Sequence, residues 1–91
     1  MKLVFAVRLG NKAEKQLRKL EPSILSRVLE LFKVLEYSPV PAKEFSLIKL
    51  SGREDTYRVR LSSYRVAYTV FWDEKVVRIL KVEKRSETTY N

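Results

Sequence analysis

Residues Tyr57 to Phe71 alternate twice around a pair of serines. Tyr57, Val59 and Leu61 are apolar at period two, with Arg58 and Arg60 between them. After Ser62-Ser63 the alternation resumes. Tyr64, Val66, Tyr68 and Val70 take one side; Arg65, Ala67, Thr69 and Phe71 take the other. Period-two patterns rich in aromatic and β-branched residues belong to half-buried strands. Two such runs joined by two turn-prone residues make a hairpin. A two-residue loop sets Leu61 opposite Tyr64, Arg60 opposite Arg65, and Val59 opposite Val66. Arg58 then faces Ala67, and Tyr57 faces Tyr68. All the apolar pairs share one side in this register, and a slip of one residue would turn them to water.

The opposite side of the hairpin carries three arginines, and no acid occurs from Thr56 to Trp72. Like charges directly across a sheet repel. One reading is a solvated face whose arginine stems cover apolar surface. The other is a face for an anionic ligand, with phosphate the first candidate. Both fit the pattern. The whole chain leans the same way: 19 Lys and Arg against 11 Asp and Glu leave a net charge of +8, with no histidine. Such a balance favours nucleic acid, an acidic protein or an anionic membrane surface.

Ninety-one residues, 45% of them apolar, suit one small globular domain over 1–91. No apolar run reaches the ~20 residues of a membrane span, and the start lacks the pattern of a signal peptide. A cytoplasmic protein with no membrane partner is therefore expected. Without cysteine there is no disulfide framework, and the lack of both Cys and His removes the common zinc ligands. No metal and no cofactor is expected.

The remaining elements follow in order. Lys2 to Arg8 alternates Leu3, Phe5 and Val7 against charged and small residues, a first strand ended by Gly10-Asn11. Asn11 and Glu14 have the spacing of a capping box for a helix reaching about Leu20. Pro22 opens a second helix whose stripe is Ile24, Val28, Leu31 and Leu35. Pro39 and Pro41 stop it. Phe45 to Leu50 makes a short edge strand before the hairpin. A last strand, Val76 to about Arg85, is apolar on both faces at its start, as a central strand is. Its register stays open, because loops of two and three residues put opposite parities on the core. The order β-α-α-β-β-β-β implies an α+β domain: a twisted, mainly antiparallel sheet with a helical hairpin on one face.

Few reactions suit such an inventory. There is no Ser-His-Asp set, no zinc motif and no glycine-rich phosphate loop. RNA, however, brings its own nucleophile, the 2′-hydroxyl. An enzyme that holds the backbone in line needs positive charge at the phosphate and groups that move protons. Arginine supplies the charge but does not serve as a base.

Tyr57-Arg58-Val59-Arg60-Leu61, then Ser62-Ser63-Tyr64-Arg65-Val66-Ala67-Tyr68, the valine-rich last strand, Lys84-Arg85 and Tyr90 resemble the RelE branch of the RelE/ParE toxin superfamily. The likeness runs through nearly the whole chain in element order and includes Lys49-Leu50 and Gly52 ahead of the hairpin. It implies a sheet ordered 1-5-4-3-2. It also implies the toxin of a type II toxin–antitoxin pair, a metal-independent endoribonuclease that enters the ribosomal A site. There it cuts mRNA by 2′-hydroxyl attack and so blocks translation. By position, Arg65 matches the phosphate-binding arginine, Arg85 the arginine that stabilises charge on the phosphate, and Tyr90 the C-terminal tyrosine that stacks on or activates the nucleotide. Arg58, Arg60 and Lys84 are the further RNA- and phosphate-binding candidates. Arg58 and Arg60 stand where some members have lysines, a departure that removes two possible proton carriers. The implied partners are the ribosome with mRNA in its A site and a RelB-like antitoxin with an acidic or amphipathic segment.

Two other functions fit the same residues. One is a ParE-like toxin that poisons gyrase, although such relatives tend to lack the arginine–tyrosine set. The other is a basic RNA-binding domain without catalysis. Tyr90→Phe keeps a stacking ring and loses the hydroxyl. It is expected to lose most of the single-turnover cleavage rate on programmed ribosomes. A parent-like rate would leave Tyr90 as a stacking platform alone.

Overall fold

The computed structural model describes residues 4–84. Seven elements follow one another: β1 (Ala6–Leu9), α1 (Asn11–Leu17), α2 (Pro22–Tyr37), β2 (Ser46–Lys49), β3 (Thr56–Leu61), β4 (Tyr64–Phe71) and β5 (Val76–Lys84). The five strands form one sheet in the order β1-β5-β4-β3-β2. β1 runs parallel to β5, and every other pairing is antiparallel.

The β3–β4 hairpin has the register its alternation demands. Leu61 faces Tyr64, Arg60 faces Arg65, Val59 faces Val66, and Tyr57 faces Tyr68. Ser62 turns the chain with φ 57, in the left-handed region that tight hairpin loops require. Behind the hairpin, Val59, Val66, Tyr68 and Val70 are buried in one cluster with Val28, Leu31 and Leu35 of α2 and Ala13 of α1. Both helices therefore cover the same face of the sheet. Helix α2 begins at Pro22, as expected of a residue whose missing N–H is no loss in a first turn.

Helix α1 departs from the sequence reading in two ways. It ends at Leu17, three residues short of Leu20. Its N-cap is Gly10 rather than Asn11, and no side chain caps it. Glu14 does not reach back to close a capping box; its carboxylate pairs with Arg18 at 3.2 Å. Close packing accounts for the shift. The Gly10 N–H donates to the Ile79 carbonyl at 2.9 Å. A Cβ on Gly10 would stand 3.2 Å from that same oxygen. A side chain at this position would press on that carbonyl, so glycine suits a helix that starts this close to β5.

β5 also settles the parity that its sequence leaves open. Val77 and Ile79 pair with Val70 and Tyr68 on the core side. The register then shifts, with Tyr68 opposite Ile79 but Ala67 opposite Lys81. Leu80 is the extra residue of this bulge, so core positions change from odd to even and Val82 is buried. The parallel β1 reaches only as far as Ile79 along β5. Beyond it the Val82 N–H donates to Gln16 Oε1 at 2.6 Å. A side chain of α1 thus continues the ladder where β1 stops.

One more polar contact ties the core together. The Tyr68 hydroxyl, deep in the core, donates to the Pro39 carbonyl at 2.7 Å. It anchors the chain leaving α2 to the middle of the sheet. Burial raises the Tyr68 pKa above its ordinary value, and the neighbouring Tyr57 raises it further.

Two substitutions test these contacts. Gln16→Leu leaves the Val82 N–H without its acceptor and should cost about 1 kcal/mol. In a domain of this size that lowers Tm by roughly 4–8 °C in thermal unfolding. For Tyr68 the sign is clear. Its folded pKa lies above the unfolded value of about 10, so its stabilisation is complete below that pH and is lost as pH rises past it. Tyr68→Phe should lower Tm at neutral pH and lessen the fall in Tm above pH 10. An equal alkaline fall in both proteins would remove Tyr68 from the cause.

Candidate nucleic-acid interface

The face of the sheet away from the helices is built by the alternate positions of every strand. β3 places Arg58 and Arg60 there, and β4 places Arg65, Ala67, Thr69 and Phe71. β5 adds Arg78 before its bulge and Lys81 and Glu83 after it. β1 adds Arg8, the register partner of Arg78. β2 adds Ser46 opposite Arg60 and Ile48 opposite Arg58.

Three of the proposed site residues come together. Arg58, Arg60 and Arg65 line one hollow of about 240 Å³, with Ser46 and Ile48 completing its wall. Arg58 and Arg65 are half-buried, and Arg60 is exposed. Two of the three arginines are thus partly covered by the fold and one stands in solvent. Arg60 also borders a neighbouring hollow of about 290 Å³, where Glu30 and Glu44 share the rim. Only the first hollow has an all-basic charged lining.

Beside the hollow the same face is neutral. Thr56 and Thr69 are paired across the hairpin, and their hydroxyls lie 2.9 Å apart. Thr56 also donates to the Glu54 carbonyl at 3.0 Å. Ala67 is only 3% exposed although it faces away from the helices. Its register neighbours are Arg58 and Lys81, long side chains flanking a small one.

The sequence reading did not foresee Glu83. It stands opposite Arg65 on β5, the one acid that the strand registers put on this face among the described residues. Its carboxylate pairs with Lys81 at 3.3 Å. No ion pair joins Arg65 to an acid among the described residues. The bulge at Leu80 explains why Glu83 was hidden, since counting by twos from Val77 would put it in the core. Lys84 lies opposite Tyr64, a position on the helix side, so it does not line the hollow. Arg85 and Tyr90 lie outside the described residues. Ser46 and Ile48 carry no signal in the sequence, because β2 shows no charge pattern of its own.

A small sheet that gives one face to its core and lines the other with arginine defines a basic α+β domain. The chain belongs to a family of that kind, described as the ParE toxin of the type II toxin-antitoxin system parDE, whose model matches residues 7–89. It is thus a member of the RelE/ParE toxin superfamily. The candidate toxin RelE1 of Methanocaldococcus jannaschii is 36% identical to it over 81 residues, 89% of this chain and 90% of that protein. The fold is similar to RelE in the archaeal RelE–RelB complex of Pyrococcus horikoshii OT3, with a TM-score of 0.83 and 40% identity over 93% of this chain and 99% of that one. The intact RelBE toxin–antitoxin complex of E. coli also contains a similar chain. There the TM-score is 0.75 and the identity 27%, over 91% of this chain and 98% of that one. The family model takes its name from ParE, whereas these three relatives carry the RelE name.

The hollow should contribute little to stability. Arg65 lies between Arg60 and Glu83, so one repulsion and one attraction offset each other. Arg65→Ala should change unfolding free energy by less than about 0.5 kcal/mol in a denaturant titration. A loss of several kcal/mol would make Arg65 a structural residue instead.

Proposed function

We propose that the chain is the toxin of a RelBE-type toxin–antitoxin pair and acts as a metal-independent, ribosome-dependent endoribonuclease on mRNA in the A site. The observation that supports this reading is the hollow in which Arg58, Arg60 and Arg65 converge without an acid. The guanidinium fork matches phosphate oxygens, and fixed cations next to the scissile phosphate favour the charge of the pentacoordinate state.

The reaction follows from that chemistry. The 2′-oxygen attacks the adjacent phosphorus, and the bond from phosphorus to the 5′-oxygen breaks. One fragment ends in a 2′,3′-cyclic phosphate and the other in a 5′-hydroxyl. One proton leaves the 2′-hydroxyl and one reaches the departing oxygen. Arg65 holds the phosphate, with Arg58 and Arg60 orienting the neighbouring backbone. Arg85 adds charge at the phosphate, and Tyr90 stacks on or activates the nucleotide. None of the three arginines of the hollow carries the protons. Those transfers fall to Tyr90, to water or to ribosomal groups.

The partner is a RelB-type antitoxin. It covers Arg58, Arg60 and Arg65 with an acidic or amphipathic segment, or displaces Tyr90. Its association should be steered by charge and weaken with salt. The place of action is the cytoplasm, where ribosomes are. Among the described residues no helix is long and apolar enough to cross a membrane.

The ParE name of the family model keeps a second reading in view, a toxin that poisons gyrase without cutting RNA. Inducible expression separates the two. The first requires a rapid stop in protein synthesis with new mRNA 5′ ends inside translated frames, and Arg65→Ala should lower cleavage by at least about 100-fold, as loss of a charge-stabilising donor does. Supercoiling inhibition with intact mRNA would establish the second reading in its place.

A further inference from the structure

The arginine face has a second basic end, well away from the hollow. Arg8 and Arg78 are register partners on the parallel strands β1 and β5, and both are exposed. Neither forms an ion pair among the described residues. The Arg78 Nε and Nη2 atoms lie 3.8 Å from the place a Cβ on Gly10 would occupy, so its guanidinium lies over the β1–α1 junction. Across β5 from Arg8, the partner of Arg78 is Thr69, a neutral residue. Phe71 stands two positions along β4 on the same side and is 42% exposed. Two guanidiniums and an open aromatic ring thus share one end of the sheet, with no acid among their register partners; Asp73 and Glu74 lie beyond Phe71 in the turn to β5, and Asp55 accepts from the Trp72 indole.

Packing does not demand this arrangement. Exposed positions accept almost any polar residue, and neighbouring like charges cost stability. An acid at either position would have relieved the repulsion. The middle of the face differs from both ends. There Ala67 is buried opposite Lys81, whose ammonium pairs with Glu83 next to Arg65, and the threonine hydroxyls bond to each other. The face is therefore basic, neutral, then basic again. The two ends are separated by four residues along β4 and one strand across, about 14 Å. At ~3.4 Å per stacked nucleotide that is about four nucleotides of single strand.

We propose that Arg8, Arg78 and Phe71 form a second subsite that holds the single-stranded RNA flanking the nucleotide in the hollow of Arg58, Arg60 and Arg65. Arg8 and Arg78 take phosphates, and Phe71 stacks a base. The inference rests on the RNA-cleaving reading and adds to it a strand path and two positioning arginines. A single strand fits better than a duplex, because an exposed ring can stack only on an unpaired base.

Fluorescence anisotropy of labelled oligouridylates on the purified full chain, over a salt series, tests the proposal. Three nucleotides are too short to join the ends, and twelve are ample. The parent should bind the long strand at least about tenfold more tightly, since the second contact is then intramolecular. Arg8→Ala with Arg78→Ala should lose most of that advantage, leave the short strand within about twofold, and reduce the salt slope by roughly 1.4, at ~0.7 per phosphate contact on a single strand. Phe71→Ala should weaken the long strand alone by about fivefold or more. Arg8→Lys with Arg78→Lys should restore the slope and so exclude misfolding as the cause. Lys12→Ala with Lys15→Ala removes two charges from α1. If it weakens the long strand as much as the arginine pair does, net charge explains the effect and the subsite is overturned. Parent-like long-strand binding by the Arg8/Arg78 variant overturns it as well, including the case where that variant instead loses a co-expressed acidic antitoxin. Cleavage mapping on ribosomes judges the parent reading separately, so a cutting enzyme with a silent Arg8/Arg78 pair would refute this inference alone.

Discussion

Strand β5 has to bond on both sides, and its two neighbours are of different lengths. β4 accompanies it from Val76 to Lys84, whereas β1 stops at Ile79. Everything distinctive in the fold is a response to that mismatch. The bulge at Leu80 returns an apolar residue, Val82, to the core after Val77 and Ile79 have used the other parity. Gln16 supplies the acceptor that β1 no longer offers. Gly10 allows α1 to begin close enough for Gln16 to reach. A central strand buried without these devices would leave backbone donors unpaired in a domain too small to tolerate many.

The same arrangement divides the sheet by function. Both helices are committed to one face, because the apolar stripe of α2 and the inner residues of β3, β4 and β5 can be buried only against each other. The other face is left for charge. Repulsion among its arginines is uncompensated by ion pairs among the described residues, while Lys81 and Glu83 pair beside Arg65 and the Thr56 and Thr69 hydroxyls bond to each other. Arginine in place of lysine gives this surface fixed forks for phosphate and denies it a proton carrier. In the proposed reaction, binding and proton transfer thereby fall to different groups.

The hairpin was legible because its two-residue loop and its alternation agree, so every cross-strand pair from Tyr57–Tyr68 to Leu61–Tyr64 followed. Helix α2 was legible from its stripe and its proline. Helix α1 was not, since its start depends on how near Gly10 comes to Ile79 and not on a side-chain cap. The first three arginines of the face lie in one hairpin and could be gathered by counting residues. Glu83 could not, because a bulge changes the count. Arg8 and Arg78 lie 70 positions apart, and only a parallel pairing between the two ends of the chain makes them neighbours. The carry-over of Arg85 and Tyr90 rests on resemblance alone, as both lie outside the described residues.

The topology also constrains when the domain can exist. Among the described strands, β5 comes last in the chain, and it is the sole sheet partner of β1. While β5 is still inside the ribosome that makes it, β1 has no ladder to join, α1 has no edge to cover, and the core lacks Val77, Ile79 and Val82. Closing so long a loop is slow compared with forming the hairpin, and domains fold as units once their last element is free. A protein whose proposed target is the ribosome would thus remain incomplete until β5 has emerged from the ribosome that makes it. Its inhibitor would have that interval in which to meet a chain whose arginine hairpin is formed but whose sheet is not yet closed.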